Sequence, residues 1–426
     1  MNNEKFALRQ KTRRNYILRV ALNGLSKLWK TKWPMCLIAL AAMAVVSMIL
    51  TAHTLHDWSV AFTAVLMFFV GVPVVAYAAG CVPGAWAIYE DMVRIGMVNA
   101  AGEAPVLLER WHKEGNLYAM RFMAKGFPLS VWEDMKEKIE TAANITIARF
   151  DEGNSRREII MEYVSGNIVL PHLVRWNWDY LSPDDFKIAL GESIMGPVYI
   201  DLAQNPHVLV GGTTASGKTK LLELIGTQVI EKCASLMIAD YKGVDFSQFV
   251  GRARIARNNE ELWAVLEYLN EELERRKSAF VKHGCRNIAE YSKNEKWMPR
   301  IVLIVDEASL VFDTSGINDK AEKETVARIL GALINLARVG RFAGIHVIVA
   351  TQRPDTLSVP GALKANLDTR ICARMPDDAT STVILDDGSA TNLPSIKGRF
   401  LLRDGSGSDT IFQAYLPDEN NDTNVV

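Results

Sequence analysis

The sharpest chemistry in the chain lies in the eight residues Gly212-Thr-Thr-Ala-Ser-Gly-Lys-Thr219. They follow the pattern glycine, four residues, then Gly-Lys-Thr. In such a loop successive backbone N–H groups point inward at phosphate oxygens, and the helix that follows adds its positive end. Lys218 is expected to bridge the β- and γ-phosphates of ATP, and Thr219 to ligate Mg2+. The expected nucleotide set is Gly212, Thr213, Thr214, Ala215, Ser216, Gly217, Lys218, Thr219 and Lys220. A second group supports it: the apolar run Ile301–Val305 ends in Asp306 and Glu307. Asp306 would hold Mg2+ through water, and Glu307 would orient or deprotonate the attacking water. Gln352 stands at the end of "GIHVIVATQRP", where an amide can sense the γ-phosphate.

These residues need elements to hold them. His207–Val210 is β-rich, and Leu221, Leu222, Leu224 and Ile225 have helical spacing, so the loop joins a strand to a helix. Another strand in "SLMIADYKGVDF" ends in Asp240 and Lys242, and Asn258 or Asn259 caps a helix of several turns. Buried strands alternating with helices predict an α/β fold with a parallel sheet and crossover helices. Upstream, Leu117–Ala124 and Arg157–Val164 alternate like strands, and Ser130 with Glu133 forms a capping-box pattern for a helix between them. This region reads as a small α/β accessory domain. His112 and His172 stand alone, and Trp111, Trp132, Trp176 and Trp178 read as packing residues.

The amino-terminal part has another character. Met35–Ala52 and Trp58–Val82 carry no charge, and each is about as long as a bilayer core of roughly 30 Å requires. The short link His53–Asp57 makes them a two-helix transmembrane hairpin, with Trp33, Trp58 and Trp86 near the span ends. Pro73 and Gly71 are expected to kink the second span. Residues 1–33 hold nine lysines and arginines against one glutamate, a net of +8, which leaves −9 on the rest of a chain totalling −1. The basic residues put both termini in the cytoplasm, and so long a basic region with a second span at once after the first favours an anchor over a signal peptide. The segment Asn15–Trp33 is expected to lie along the anionic inner leaflet. So acidic a body is no indiscriminate polyanion binder. Five scattered cysteines with no CxxC argue against zinc and a disulfide framework. The expected organisation is a basic cytoplasmic tail (1–33), a membrane hairpin (34–88), an accessory domain (89–190), a P-loop ATPase motor (191–417) and a disordered tail (418–426).

The stretches "VGGTTASGKT", "ELERRKSAFVKHGCRNIAEY", "IVDEASL", "GRFAGIHVIVATQRP" and "GALKANLDTRI" together resemble the FtsK/SpoIIIE family of DNA-pumping ATPases, over about residues 195–402. The resemblance implies a RecA-like fold, a homo-hexameric ring with ATP sites between subunits, and a central DNA channel. It implies that Lys218 and Thr219 bind nucleotide and metal, that Asp306 and Glu307 are catalytic, and that Gln352 is the sensor. It also implies that Arg341 reaches a neighbour's site, with Arg338 as the alternative, and that Arg353 and Lys364 lie along the DNA channel. The chain departs from the chromosome pumps in its two-span anchor, its lack of a long linker and of a C-terminal winged helix, and in Asp378 and Thr382 where basic pore residues often stand. In these respects it is most similar to the compact coupling proteins of conjugative elements. That role implies delivery of relaxase-bound DNA to a type IV secretion channel. The alternatives are a chromosome or plasmid segregation pump and a type VII-like protein-export motor.

Overall fold

A computed structural model describes residues 16–27, 33–55, 58–113, 115–166, 168–355, 358–405 and 409–417. The basic residues before Tyr16, Lys30 and Lys32, and the tail 418–426 lie outside the described residues. The chain divides into two compact units, Met1–Val169 and Leu170–Val426. The expected boundary at residue 190 therefore moves back. Its cause is pairing: the strands at Val174–Arg175 and Lys187–Ser193 both bond to the last strand of the motor.

The first unit opens with helix α1 (residues 16–27), α2 (Trp33–Leu55), α3 (Trp58–Gly80) and α4 (Ala85–Arg94). The described basic residues of α1 turn onto the protein instead of outward: Arg19 pairs with Glu103, and Lys27 donates to the Leu108 carbonyl. Its exposed face is apolar, with Ile17, Leu18, Leu22 and Leu25. Helix α3 continues through Pro73. Met43, Leu50, Phe62 and Val74 of α2 and α3 stand exposed. Among the described residues no helix is long and apolar enough to cross a membrane. Many side chains of α2 and α3 fall outside that description, and the expected spanning hairpin finds no support in it.

The chain then forms β1 (Val106–His112), β2 (Tyr118–Met123), α5 (Leu129–Asp134), α6 (Lys136–Ala143), β3 (Ile145–Glu152) and β4 (Glu158–Ser165). The sheet is antiparallel in the order β1-β2-β4-β3. Strands β2 and β4 lie where the sequence places strands. The capping box does not form: Pro128 caps α5 without a side-chain bond, so Ser130 falls inside the first turn. Proline's fixed φ and missing N–H suit a helix entrance. Trp132, fully buried against Phe122 and Phe150, sets which face turns inward.

The second unit contains β5 (Val174–Arg175), β6 (Lys187–Ser193), β7 (Gly196–Asp201), β8 (His207–Gly211), α7 (Lys218–Glu231), β9 (Ser235–Ala239) and β10 (Arg254–Ala256). It continues with α8 (Asn259–His283), α9 (Ile288–Asn294), β11 (Ile301–Val305), α10 (Ala308–Phe312), α11 (Lys320–Ala343) and β12 (Ile345–Thr351). It closes with α12 (Gly361–Lys364), β13 (Thr369–Ala373), α13 (Asp378–Leu385), β14 (Arg399–Arg403) and β15 (Asp409–Leu416). The sheet order is β10-β9-β11-β12-β8-β13-β14-β15-β6-β7, with β5 on β15. From β10 to β13 the strands are parallel; β14, β15, β6 and β7 pair antiparallel. The sheet is thus mixed, where a parallel one was expected. The β6–β7 and β14–β15 connections are too short for a crossover and allow only hairpins.

Strands β8, β11 and β12 are buried along their whole length, which is why they read as unbroken apolar runs. Leu303 and Val305 pack beneath α8 and α11, while Val302 and Ile304 pack against α7. Asn258 caps α8 by accepting from the Glu261 N–H. Buried Arg276 of α8 pairs with Glu272 and donates to the Ala343 carbonyl at the end of α11, where a cation complements the helix dipole. Of the tryptophans read as packing residues, Trp132 and Trp176 are buried, whereas Trp178 is 43% exposed.

Candidate active site

The phosphate loop leaves β8 at Gly211 and enters α7 at Lys218. Its path needs left-handed backbone at Ala215 (φ 65°) and Gly217 (φ 100°). A Cβ on Gly212 would come within 2.6 Å of Ser216 Oγ, and one on Gly217 within 3.2 Å of the Gly398 backbone. The Gly398 N–H donates to the Ser216 carbonyl at 2.8 Å, fixing the loop from the β14 side. Two features fit an anion here. No side chain caps α7, so its first N–H groups face the loop. Ser216 Oγ is buried with no hydrogen-bond partner among the described residues.

Lys218 is 3% exposed. Its ammonium lies 3.1 Å from Asp306 Oδ1, also donates to the Asp306 carbonyl, and stands 3.9 Å from Glu307 Oε2. Lys242 approaches the other Asp306 oxygen at 3.7 Å. Burial nevertheless lifts the Asp306 carboxyl above its ordinary range, against the pull of both lysines. The carboxylates of Asp240, Asp245 and Asp306 offer oxygens within 4.8 Å of one another, a donor set suited to a hard divalent cation. The register explains the meeting: β9 and β11 are parallel neighbours with Ala239 opposite Val305, so the next residues, Asp240 and Asp306, lie side by side. The sequence marks Asp240 as a strand end but assigns it no metal role. Asp245 carries no signal of its own, since only the turn after β9 brings it back. Thr219 follows Lys218 in the first turn of α7. Lys220 turns along the helix to pair with Glu223.

Glu307 is held on several sides. Thr351 Oγ1 and Ser309 Oγ donate to its Oε1 at 2.9 and 2.7 Å, and the Gln352 N–H donates to Oε2 at 3.0 Å. The Gln352 side-chain oxygen accepts from Thr214 Oγ1 at 3.1 Å, so the amide touches the phosphate loop directly. A cavity of ≈510 Å³ flanks the loop between Thr213–Ser216, Met375, Pro376 and Lys397. That volume is within the range of small-ligand sites.

The remaining candidates lie elsewhere. Arg341 is exposed in the last turn of α11, which feeds the start of β12, whereas Gln352 follows that strand's end. A strand of that length separates the two ends by roughly 20 Å, so Arg341 stands at the opposite end of β12 from Gln352. Arg338 lies one turn earlier on α11 and is also exposed. Arg353 is exposed next to Gln352. Lys364 is engaged internally: its ammonium lies 2.6 Å from Asp386 and donates to the Thr382 carbonyl, and Arg370 shares the same aspartate.

Residues 175–316 match the FtsK/SpoIIIE family model. The chain is 34% identical over 261 residues to the DNA translocase FtsK of Halalkalibacterium halodurans, covering 56% of this chain and 32% of that protein. It is 30% identical over 260 residues to the DNA translocase SftA of Bacillus subtilis, covering 57% of this chain and 26% of that protein. The chain therefore spans about a third or less of the length of these curated relatives. Among solved structures, the monomer of the pCW3 conjugation coupling protein TcpA with ATPγS matches at 28% identity and a TM-score of 0.58. That match covers 79% of this chain and 95% of that one.

Proposed function

We propose that the protein is a membrane-anchored, Mg2+-dependent ATPase that drives DNA, acting as the coupling protein that hands relaxase-bound DNA to a conjugative secretion channel. The observation that carries the motor reading is the convergence of Lys218, Asp306, Glu307 and Gln352 on one phosphate loop. The likeness to TcpA, which covers nearly all of that chain, favours the conjugative role. The anchor rests on the two uncharged runs in the sequence and on the exposed apolar side chains of α2 and α3.

The chemistry follows from charge. Phosphate oxygens entering the loop compete with Asp306 for Lys218, and the freed carboxylate can then hold a hydrated cation together with Thr219, Asp240 and Asp245. Mg2+ bound there would offset charge on the β- and γ-phosphates. Glu307 accepts the proton of the attacking water, and Gln352 links that step to Thr214 of the loop. Arg341 would complete the site of the next copy in a six-membered ring, where a trans arginine stabilises the transferring phosphoryl group. Arg353, exposed beside Gln352, would meet the DNA backbone. Sequence likeness to FtsK and SftA favours the second reading, a segregation pump.

The test is ATP turnover by the full chain in detergent or vesicles, without DNA and with single- or double-stranded DNA, alongside transfer frequency of the element that carries the gene. The proposal expects DNA-stimulated hydrolysis, with transfer lost in Lys218→Ala. Unchanged transfer in that variant removes the conjugative role, and strong duplex stimulation without a transfer defect selects the segregation pump. Turnover indifferent to every DNA removes both and leaves protein export.

A further inference from the structure

The two oxygens of Glu307 are not equivalent. Oε1 accepts from Ser309 Oγ at 2.7 Å and Thr351 Oγ1 at 2.9 Å, with longer contacts from the N–H groups of Gln352 at 3.2 Å and Ser309 at 3.4 Å. Among the described residues Oε2 accepts only from the Gln352 N–H, at 3.0 Å, and it faces Lys218 Nζ at 3.9 Å. A carboxylate offers about four acceptor sites. Those on Oε1 are filled, while Oε2 keeps one directed toward the phosphate loop's lysine.

Most of these donors have other reasons to be there. Ser309 lies in the first turn of α10, which Glu307 itself caps, and the Gln352 N–H is a main-chain group at a strand end that needs an acceptor. The Thr351 hydroxyl accepts from the Arg353 N–H, which accounts for an oxygen at this position but leaves its proton to be placed. It comes from a strand 44 residues away and is fully buried. Apart from His346, the rest of β12 is apolar, so valine would suit the position's shape and its strand conformation. A buried hydroxyl costs stability unless it is bonded. Its orientation is also fixed: the Arg353 N–H donates to Thr351 Oγ1 at 3.2 Å, so the hydroxyl's own proton goes to Glu307.

We propose that Thr351 is a positioning residue for ATP hydrolysis: by holding Oε1 it turns Oε2 of Glu307 toward the water that attacks the γ-phosphate. The proposal rests on the ATPase reading above and adds to it a residue whose side chain, among the described residues, bonds to Glu307 and to the Arg353 N–H. Removing the hydroxyl leaves Oε1 to Ser309 and the Gln352 N–H, so the carboxylate is less firmly set about its last bond. The base is then present but misdirected, while phosphate binding by Lys218 and the loop is untouched. Serine keeps the hydroxyl and valine keeps the shape, so the two substitutions separate chemistry from packing.

The test is steady-state ATP turnover by the full chain as parent, Thr351→Val and Thr351→Ser, with direct binding of a fluorescent ATP analogue and the thermal midpoint measured on each. A misplaced catalytic group costs up to about 100-fold, so the valine variant is expected to lose about 10- to 100-fold in kcat with KM and analogue binding within about twofold. The serine variant is expected to recover to within about threefold of the parent on the same scale. The proposal is overturned if Thr351→Val keeps the parent's kcat, if the loss lies wholly in KM, or if Thr351→Ser is as slow as valine. Should the valine variant fail to fold, Thr351→Ala carries the same comparison against serine. A parent chain that hydrolyses no ATP overturns the ATPase reading as well, whereas an active parent with an equally active valine variant overturns this inference alone.

Discussion

Each unit of the molecule contains a buried carboxylate with two cations against it, and the two have opposite character. In the first unit Glu162 sits between Arg149, at 3.1 Å, and Lys113. Burial pushes its carboxyl up, but the direct bonds from both cations outweigh that and hold it below the usual carboxylate range. In the motor Asp306 sits between Lys218 and Lys242, at 3.1 and 3.7 Å, and there burial wins. Glu162 lies on a sheet face, where long side chains fold over it sideways. Asp306 lies at a strand tip among Asp240 and Asp245, where the lysines are outnumbered. Glu162 is complete within its own fold. Asp306 is a desolvated carboxylate beside two others, a setting that a divalent cation with a triphosphate is suited to complete.

The sharpest way to break this contrast is to remove function from the motor side. Arg341→Ala is expected to lower turnover about 10³-fold, as loss of a trans arginine does. Mixing it with Lys218→Ala, expected to be inactive by itself, should restore part of the activity if the proposed ring forms, because a ring of both variants would contain intact interfaces. No recovery on mixing means that Arg341 does not act between copies. Glu307→Gln should reduce kcat by at least about 100-fold while nucleotide binding persists; binding lost in parallel would show that Glu307 holds the site together instead.

On the structural side, Glu162→Gln should leave ATP turnover unchanged and lower stability by about 2 kcal/mol, the worth of a charged hydrogen bond. Its pH dependence has a definite sign. Because the folded-state carboxyl is held low, its contribution is complete above the unfolded value of about 4.3 and is lost as pH falls through the folded one. The difference in thermal midpoint between parent and variant should therefore close only in strong acid, and a gap that widens in acid would contradict it. The smallest effect is expected at Lys364, whose ammonium is taken by Asp386. Lys364→Ala should change DNA-stimulated turnover by less than about twofold, whereas Arg353→Ala should flatten the salt dependence of DNA binding by about one ion. Equal effects of the two would place Lys364 on the DNA after all.

The nucleotide side of the site is legible in the sequence because a parallel sheet collects its polar residues at strand ends. Each apolar run therefore announces the residue that follows it: Asp306 after Val305, Gln352 one residue after Thr351. Thr351 itself is hidden by the same logic, since a threonine closing an apolar strand looks like any β-branched residue. Asp245 is hidden because its place depends on a turn and on no periodicity. The antiparallel half of the sheet is equally opaque. Nothing in Lys187–Ser193 says that it will pair with Asp409–Leu416, more than two hundred residues later. The capping box fails for a local reason, since Pro128 starts the helix before Ser130 can.

The bond from Gly398 to Ser216 has a mechanical consequence. The Ala414 N–H donates to the Gly398 carbonyl, and Gln413 Nε2 donates to that of Lys397, so the hairpin of β14 and β15 is stitched to the floor of the phosphate loop. A tug on that hairpin is delivered to the loop through a few short links with little slack. The loop is thereby the stiff end of a lever, and the hairpin is its handle.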